Sequence, residues 1–222
     1  MADVVLAAED LWRSYDGVVH VLRGANLTAR AGETLVVWGE NGSGKTTLLS
    51  LLGGLDVPDR GTVQVAGRDI SRLKESERAR ARLHDIGFVF QTHRLLSDLN
   101  VEDNLALPLR LARRPADVRV LELMRAFGLE KLAKRRPAQI SVGESQRVAV
   151  ARALANGPKV ILADEPTAAL DAKGSVSVLE AFEIARSSFG AAIIVASHDS
   201  DVREMRGLRY ELRDGLVRPM SA

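Results

Sequence analysis

"GENGSGKT", residues 39 to 46, decides the fold. The run before it, "TLVVW" at 34 to 38, is short, apolar and β-branched, so it reads as a buried strand. The stretch after it, "KTTLLSLLGGL" from Lys45, reads as a helix. A glycine-rich turn between strand and helix is the arrangement G-x-x-x-x-G-K-[ST] needs in order to hold phosphate. Gly39, Gly42 and Gly44 let the backbone bend until its N–H groups point inward, and the helix N-terminus adds a field that favours anions. Lys45 supplies a mobile charge for β- and γ-phosphates, and the Thr46 hydroxyl suits Mg²⁺.

Working outward, "KVILADE" (159 to 165) and "AAIIVAS" (191 to 197) are further apolar runs between helical segments. Such runs imply a parallel sheet covered on both faces. The second run ends in Asp164 and Glu165, where open α/β sheets bind ligands. Asp164 is placed to hold Mg²⁺, and Glu165 to orient or deprotonate an attacking water. The first thirty residues alternate polar and apolar, and with "GTVQVAGRDI" (61 to 70) they predict antiparallel strands. After "IGFVF", residues 92 to 156 read as helices: "VEDNLALPLRLAR", "ADVRVLELMRAFG" and "ESQRVAVARALAN". The expectation is one α/β domain spanning 1–222, a P-loop fold with a mainly parallel core sheet. Residues 1–91 and 157–222 form the core with an antiparallel β subdomain, and 92–156 an inserted helical lobe.

Composition narrows the function classes. The chain has 222 residues, no cysteine and a net charge of +2. Disulfides, thiolate metal sites and thiol catalysis are excluded, and no nucleic-acid partner is expected. No apolar run approaches the roughly 18 residues that span a bilayer. "MADVVLAAEDLW" carries early acids and no basic leader, so a cytoplasmic protein is expected. Arg78, Arg80 and Arg82, with the pairs Arg113-Arg114 and Arg135-Arg136, read as a solvated helical surface or as a face for headgroups or an acidic partner.

Taken together, these stretches resemble the ATP-binding cassette (ABC) ATPases, in that family's order and over essentially the whole chain. Gly39 to Thr47 match the phosphate loop, which brings Glu40, Asn41, Ser43 and Thr47 into the nucleotide site. Tyr15 matches the aromatic that stacks on adenine. Gln91 in "IGFVFQ" matches the glutamine that reaches Mg²⁺ and the attacking water. "LADEPTAALD" matches the metal-binding strand, the catalytic glutamate and the loop closed by Asp171. His198 matches the switch histidine at the γ-phosphate; His20, His84 and His93 gain no role. "FQTHRLLSDLNVEDNLALPLRLA" is similar to the subgroup of lipoprotein-releasing, macrolide-export and cell-division ATPases. The resemblance implies ATP and Mg²⁺ as cofactors and a membrane permease with a large extracytoplasmic domain as partner. It also implies a peripheral position on the inner face of the cell membrane. A soluble or regulatory cassette that binds ATP with weak hydrolysis is the competing reading.

The resemblance further implies a dimer with ATP between two copies, the phosphate loop of one facing "ISVGESQRVAVARAL" (140 to 154) of the other. Ser141, Gly143 and Glu144 are the contacts it supplies. On the residues alone, Ser141 with Glu144 is also a helix-capping box without a ligand. Val142 stands where the family carries glycine. If the position needs a positive φ, valine weakens the site; if it is helical or extended, valine costs little. Leu95 and Leu96 are expected either to line an exposed groove for a permease helix or to pack in the core.

Overall fold

The computed structural model describes residues 2–16, 19–199, 202 and 205–220. Its centre is a six-stranded sheet, ordered β10-β9-β3-β8-β7-β6. These strands are β3 (Thr34–Trp38), β6 (Ile86–Phe90), β7 (Val160–Asp164), β8 (Ala192–Ser197), β9 (Leu208–Arg213) and β10 (Leu216–Pro219). Strands β9, β3, β8, β7 and β6 run parallel, and β10 turns back antiparallel on β9. The apolar runs are continuous because both faces are covered. Ile161, Ala163, Ile193 and Val195 enter one core, while Val160, Leu162, Ile194 and Ala196 enter the other. Alternate residues of one strand thus feed opposite layers.

The second core lies under a four-stranded antiparallel sheet, β2-β1-β4-β5. It is built from β1 (Val4–Tyr15), β2 (Val19–Arg30), β4 (Arg60–Val65) and β5 (Arg68–Asp69). Helix α1 (Lys45–Leu52) packs between the two sheets through Leu48, Leu49, Leu51 and Leu52. It ends at Leu52, three residues short of Leu55, where the expected helical run finishes. Gly53 caps it so close to Phe88 that a Cβ there would lie 2.1 Å from the ring.

The first core joins the other sheet face to α3 (Val101–Leu111), α4 (Asp117–Ala126), α5 (Val142–Ala153) and α6 (Ala172–Phe189). Pro108 sits inside α3 without ending it. Helix α2 (Glu75–Asp85) carries the alternating arginines. Arg82 donates to Gly54 O at 2.5 Å and Arg78 to Leu73 O at 2.9 Å, and both pair with Glu75. Those two therefore fasten the helix down and only Arg80 of the three is left to the surface.

Leu95 departs from the exposed-groove expectation. Asn104, fully buried on α3, accepts from Leu96 N at 2.9 Å and donates to Leu96 O at 3.1 Å. This pins the loop so that Leu95 packs against the first core and only Leu96 is exposed. The apolar groove of this region lies elsewhere. It has a volume of about 260 Å³ and is lined by Leu83, Phe88, Leu107, Pro108 and Leu111 among others, but by neither leucine of the expected pair.

Candidate functional site

Register brings the candidate residues together. Trp38 pairs with Ser197, Ala196 with Asp164, and Asp164 with Phe90. Hence Gly39, His198, Glu165 and Gln91, each one residue further on, leave the sheet side by side at its carboxyl edge.

The phosphate loop closes on Lys45, which is 6% exposed. Its ammonium donates to Gly39 O at 2.6 Å and Glu40 O at 3.0 Å, and lies 3.2 Å from Glu165 Oε1. Gly44, with φ 100°, presses on β2: a Cβ there would meet Val21 Cγ1 at 2.7 Å. Both features demand glycine. Ser43 Oγ is buried with no partner among the described residues. Glu40, Asn41 and Gly42 line the loop's outer cavity with Glu211, Arg213 and Asp214, which the sequence did not point to.

The Thr46 hydroxyl donates to Asp164 Oδ2 at 2.8 Å, so the two expected metal ligands are in contact. The other carboxylate oxygen, Oδ1, is buried without a partner. Burial raises the Asp164 pKa, with the Glu165 charge adding to it and Thr46 and Lys45 opposing. A hydroxyl, an orphaned carboxylate oxygen and the exposed Gln91 amide beyond Phe90 make a hard-oxygen donor set that fits Mg²⁺. Among the described residues no group of three or more His, Cys, Asp or Glu is arranged to hold a metal ion by itself. The remaining ligands would then be phosphate and water oxygens, which is the usual way Mg²⁺ is held.

Glu165 has the left-handed φ of 46°, uncommon for a side chain of this size. Its carboxylate accepts from Ser197 Oγ at 2.8 Å and lies 2.9 Å from His198 Nδ1. Burial alone would raise its pKa, but the bonds from His198, Ser197 and Lys45 together win and hold it below the ordinary value. Adjacent carboxyls are thus pushed in opposite directions. Ser197 is a partner that sequence reading passed over, although it directly precedes His198.

Tyr15 ends β1 half-exposed, its hydroxyl 3.4 Å from Thr47 Oγ1. Arg13 lies 5.2 Å over its ring and is held by Asp56 and Asp59.

Ser141 caps α5. Its N–H donates to Glu144 Oε2 at 2.8 Å and its Oγ accepts from Glu144 N at 3.2 Å. The Ser141 backbone bond chiefly holds the Glu144 pKa down. Val142 is the first helical residue and is not among the positive-φ residues, so valine holds this conformation without strain. Its side chain is 49% exposed, at a cavity of about 650 Å³ shared with Ser141, Gly143, Arg147, Asp171 and Lys173. Asp171 caps α6 by accepting from Gly174 N at 2.8 Å, so two helix N-termini open on this cavity. No phosphate-loop residue lines it.

The family model "ABC transporter" matches residues 22–168. The chain is 43% identical over 222 residues to the lipoprotein-releasing system ATP-binding protein LolD 2 of Caulobacter vibrioides, covering 97% of each. It is 40% identical to LolD of a Ruegeria species, covering 98% of this chain and 99% of that one. Among solved structures it is similar to the dimeric ATP-binding cassette MJ0796 bound to ADP and Pi, at 33% identity and TM-score 0.85 over 97% of this chain and 98% of that one. It is also similar to cbiO1 of Clostridium perfringens, part of the ABC transporter complex cbiONQ, at 29% identity and TM-score 0.88 over 97% and 87%.

Proposed function

The chain belongs to the ABC transporter family, as an ATP-hydrolysing subunit that drives a permease, and from that premise we propose how its residues do this and for what kind of complex. The observation that carries the reading is the Glu165 carboxylate, caught between Lys45 and His198 beside the Thr46–Asp164 pair. Lys45 and the loop N–H groups bind the phosphates, and Tyr15 stacks on the base. Glu165 orients the attacking water and takes its proton. His198 holds that carboxylate in place. Mg²⁺, when bound, would neutralise charge developing on the phosphates, held by Thr46, Asp164 and Gln91.

Ser141, Gly143 and Glu144 serve the nucleotide of a second copy. Their place on a cavity apart from the phosphate loop favours this division. Residues 92–156 act as the helical lobe that presents them. The likeness to lipoprotein-releasing ATPases supports a permease with a large extracytoplasmic domain. No helix among the described residues is long and apolar enough to cross a membrane, and attachment to the cytoplasmic face falls to the permease. Its docking helix enters the groove at Leu83, Phe88, Leu107 and Leu111 rather than reaching Leu95.

The test is Glu165→Gln with MgATP. The variant should form a stable dimer on size exclusion and release no phosphate, while wild type turns over. Wild type that binds ATP and never releases phosphate would overturn the reading in favour of a regulatory module.

A further inference from the structure

Helix α5 grips the loop around Gln91 from both sides. Before Gln91, the buried Gln146 donates from Nε2 to Phe90 O at 3.0 Å. After it, Arg152 spreads its guanidinium over two carbonyls, Nη1 to Arg94 O at 2.8 Å and Nη2 to His93 O at 2.9 Å. Arg94 has φ 45° and lays its own guanidinium 4.1 Å over the Phe90 ring. The backbone on either side of Gln91 is therefore tied to one helix, while the Gln91 side chain itself is exposed. That helix is the one Ser141 caps at its other end.

We propose that Arg152 is a positioning residue for Gln91. It makes the Gln91 loop and the Ser141 end of α5 move as one body, so that engagement of a partner's nucleotide at Ser141 resets Gln91 in this copy's own site. The planar guanidinium meets the two carbonyls from two separate nitrogens in a fixed fork, a spread that the single nitrogen of lysine does not provide. The inference rests on the reading of Gln91 as a nucleotide-site residue.

The experiment is a double-mutant cycle on the full chain: wild type, Gln91→Ala, Arg152→Gln and the pair. It measures kcat, the Kd for a fluorescent ATP analogue and the thermal midpoint. Arg152→Gln should lower kcat about tenfold with Kd changed less than about twofold, and lower it less than about twofold when Gln91 is already alanine. If Arg152→Gln does not fold, Arg152→Lys, which keeps the charge but not the fork, is put through the same cycle with the same non-additivity expected. An equal loss of kcat in both backgrounds, or no loss in the wild-type background, would overturn the inference alone. A Gln91→Ala variant with wild-type turnover would overturn it together with the reading of Gln91.

Discussion

His198 Nδ1 and Glu165 Oε1 stand 2.9 Å apart, and the same oxygen lies 3.2 Å from Lys45 Nζ. One carboxylate oxygen thus joins the phosphate loop to the end of β8. The other accepts from Ser197, so the carboxylate's direction is fixed by elements far apart in sequence. A carboxylate held this way would need little reorganisation to act as the base proposed for it.

His198→Ala should lower kcat about 10- to 100-fold, with ATP affinity changed far less. It should also move acid unfolding. The folded pKa of Glu165 is depressed, so its contribution is present above the unfolded pKa and is lost as pH falls through the folded one. Removing the His198 bond brings the folded pKa back towards ordinary, and the loss becomes smaller. At neutral pH the variant should be the less stable chain, and the gap to wild type should close on acidification. Parallel pH-dependent melts without nucleotide check this; a gap that widens towards acid would contradict it.

Asp164→Asn should do the opposite to the empty fold. Burial raises the pKa of Asp164, so its charged form opposes folding, and stability falls as pH rises through that folded pKa. Asparagine keeps an acceptor for the Thr46 hydroxyl and removes the charge. An expected gain of about 1 kcal/mol would raise the nucleotide-free Tm by about 2–4 °C at neutral pH. Mg²⁺-dependent hydrolysis should be lost, and Mg²⁺ should no longer tighten ATP binding. A Tm unchanged across the pH range would show that the charge is not opposed in the native state.

The positions of Lys45, Asp164, Glu165 and His198 are legible in sequence for a local reason. Asp164 ends β7, Glu165 and His198 directly follow β7 and β8, and Lys45 opens α1 after the glycine-rich loop that leaves β3; parallel register then aligns those strand ends without further information. What holds them is less legible. Arg13 meets Asp56 and Asp59 across more than forty residues, and Arg152 meets His93 across 59. Nothing in spacing or periodicity announces such pairs. Leu95 shows the same limit: sequence leaves groove and core both open for it, and Asn104, by pinning that loop, decides for the core. The C-terminal hairpin was open to reading, since Asp214-Gly215 between β9 and β10 is a turn signal.

Leu111→Asp should separate docking from chemistry. Leu111 is 65% exposed at the rim of the groove between α2, β6 and α3, next to Arg80, His84 and Arg113. A carboxylate there costs the isolated fold little, within about 0.5 kcal/mol as for most surface changes. Co-purification with the permease should fall at least about tenfold, since docking would bury an unpaired carboxylate against apolar side chains. ATP binding by the chain alone should be unchanged. Retained association would place the permease elsewhere on the surface.

Val142 allows backbone and side-chain effects to be told apart. Its backbone is helical, so glycine relieves no strain there. Instead glycine at a helix start should cost up to about 1 kcal/mol of stability relative to alanine. Any hindrance must come from the Cγ atoms, half-exposed over the cavity at Ser141 and Gly143. Val142→Ala removes those atoms and keeps the helix, so it should raise turnover about as much as Val142→Gly, by about two- to fivefold for one removed steric contact. The ATP concentration that dimerises the Glu165→Gln chain should fall in both. A gain with glycine alone would mean that the position turns to a positive φ when two copies close. Unchanged turnover in both would mean that valine is simply tolerated, its side chain clear of the partner's nucleotide.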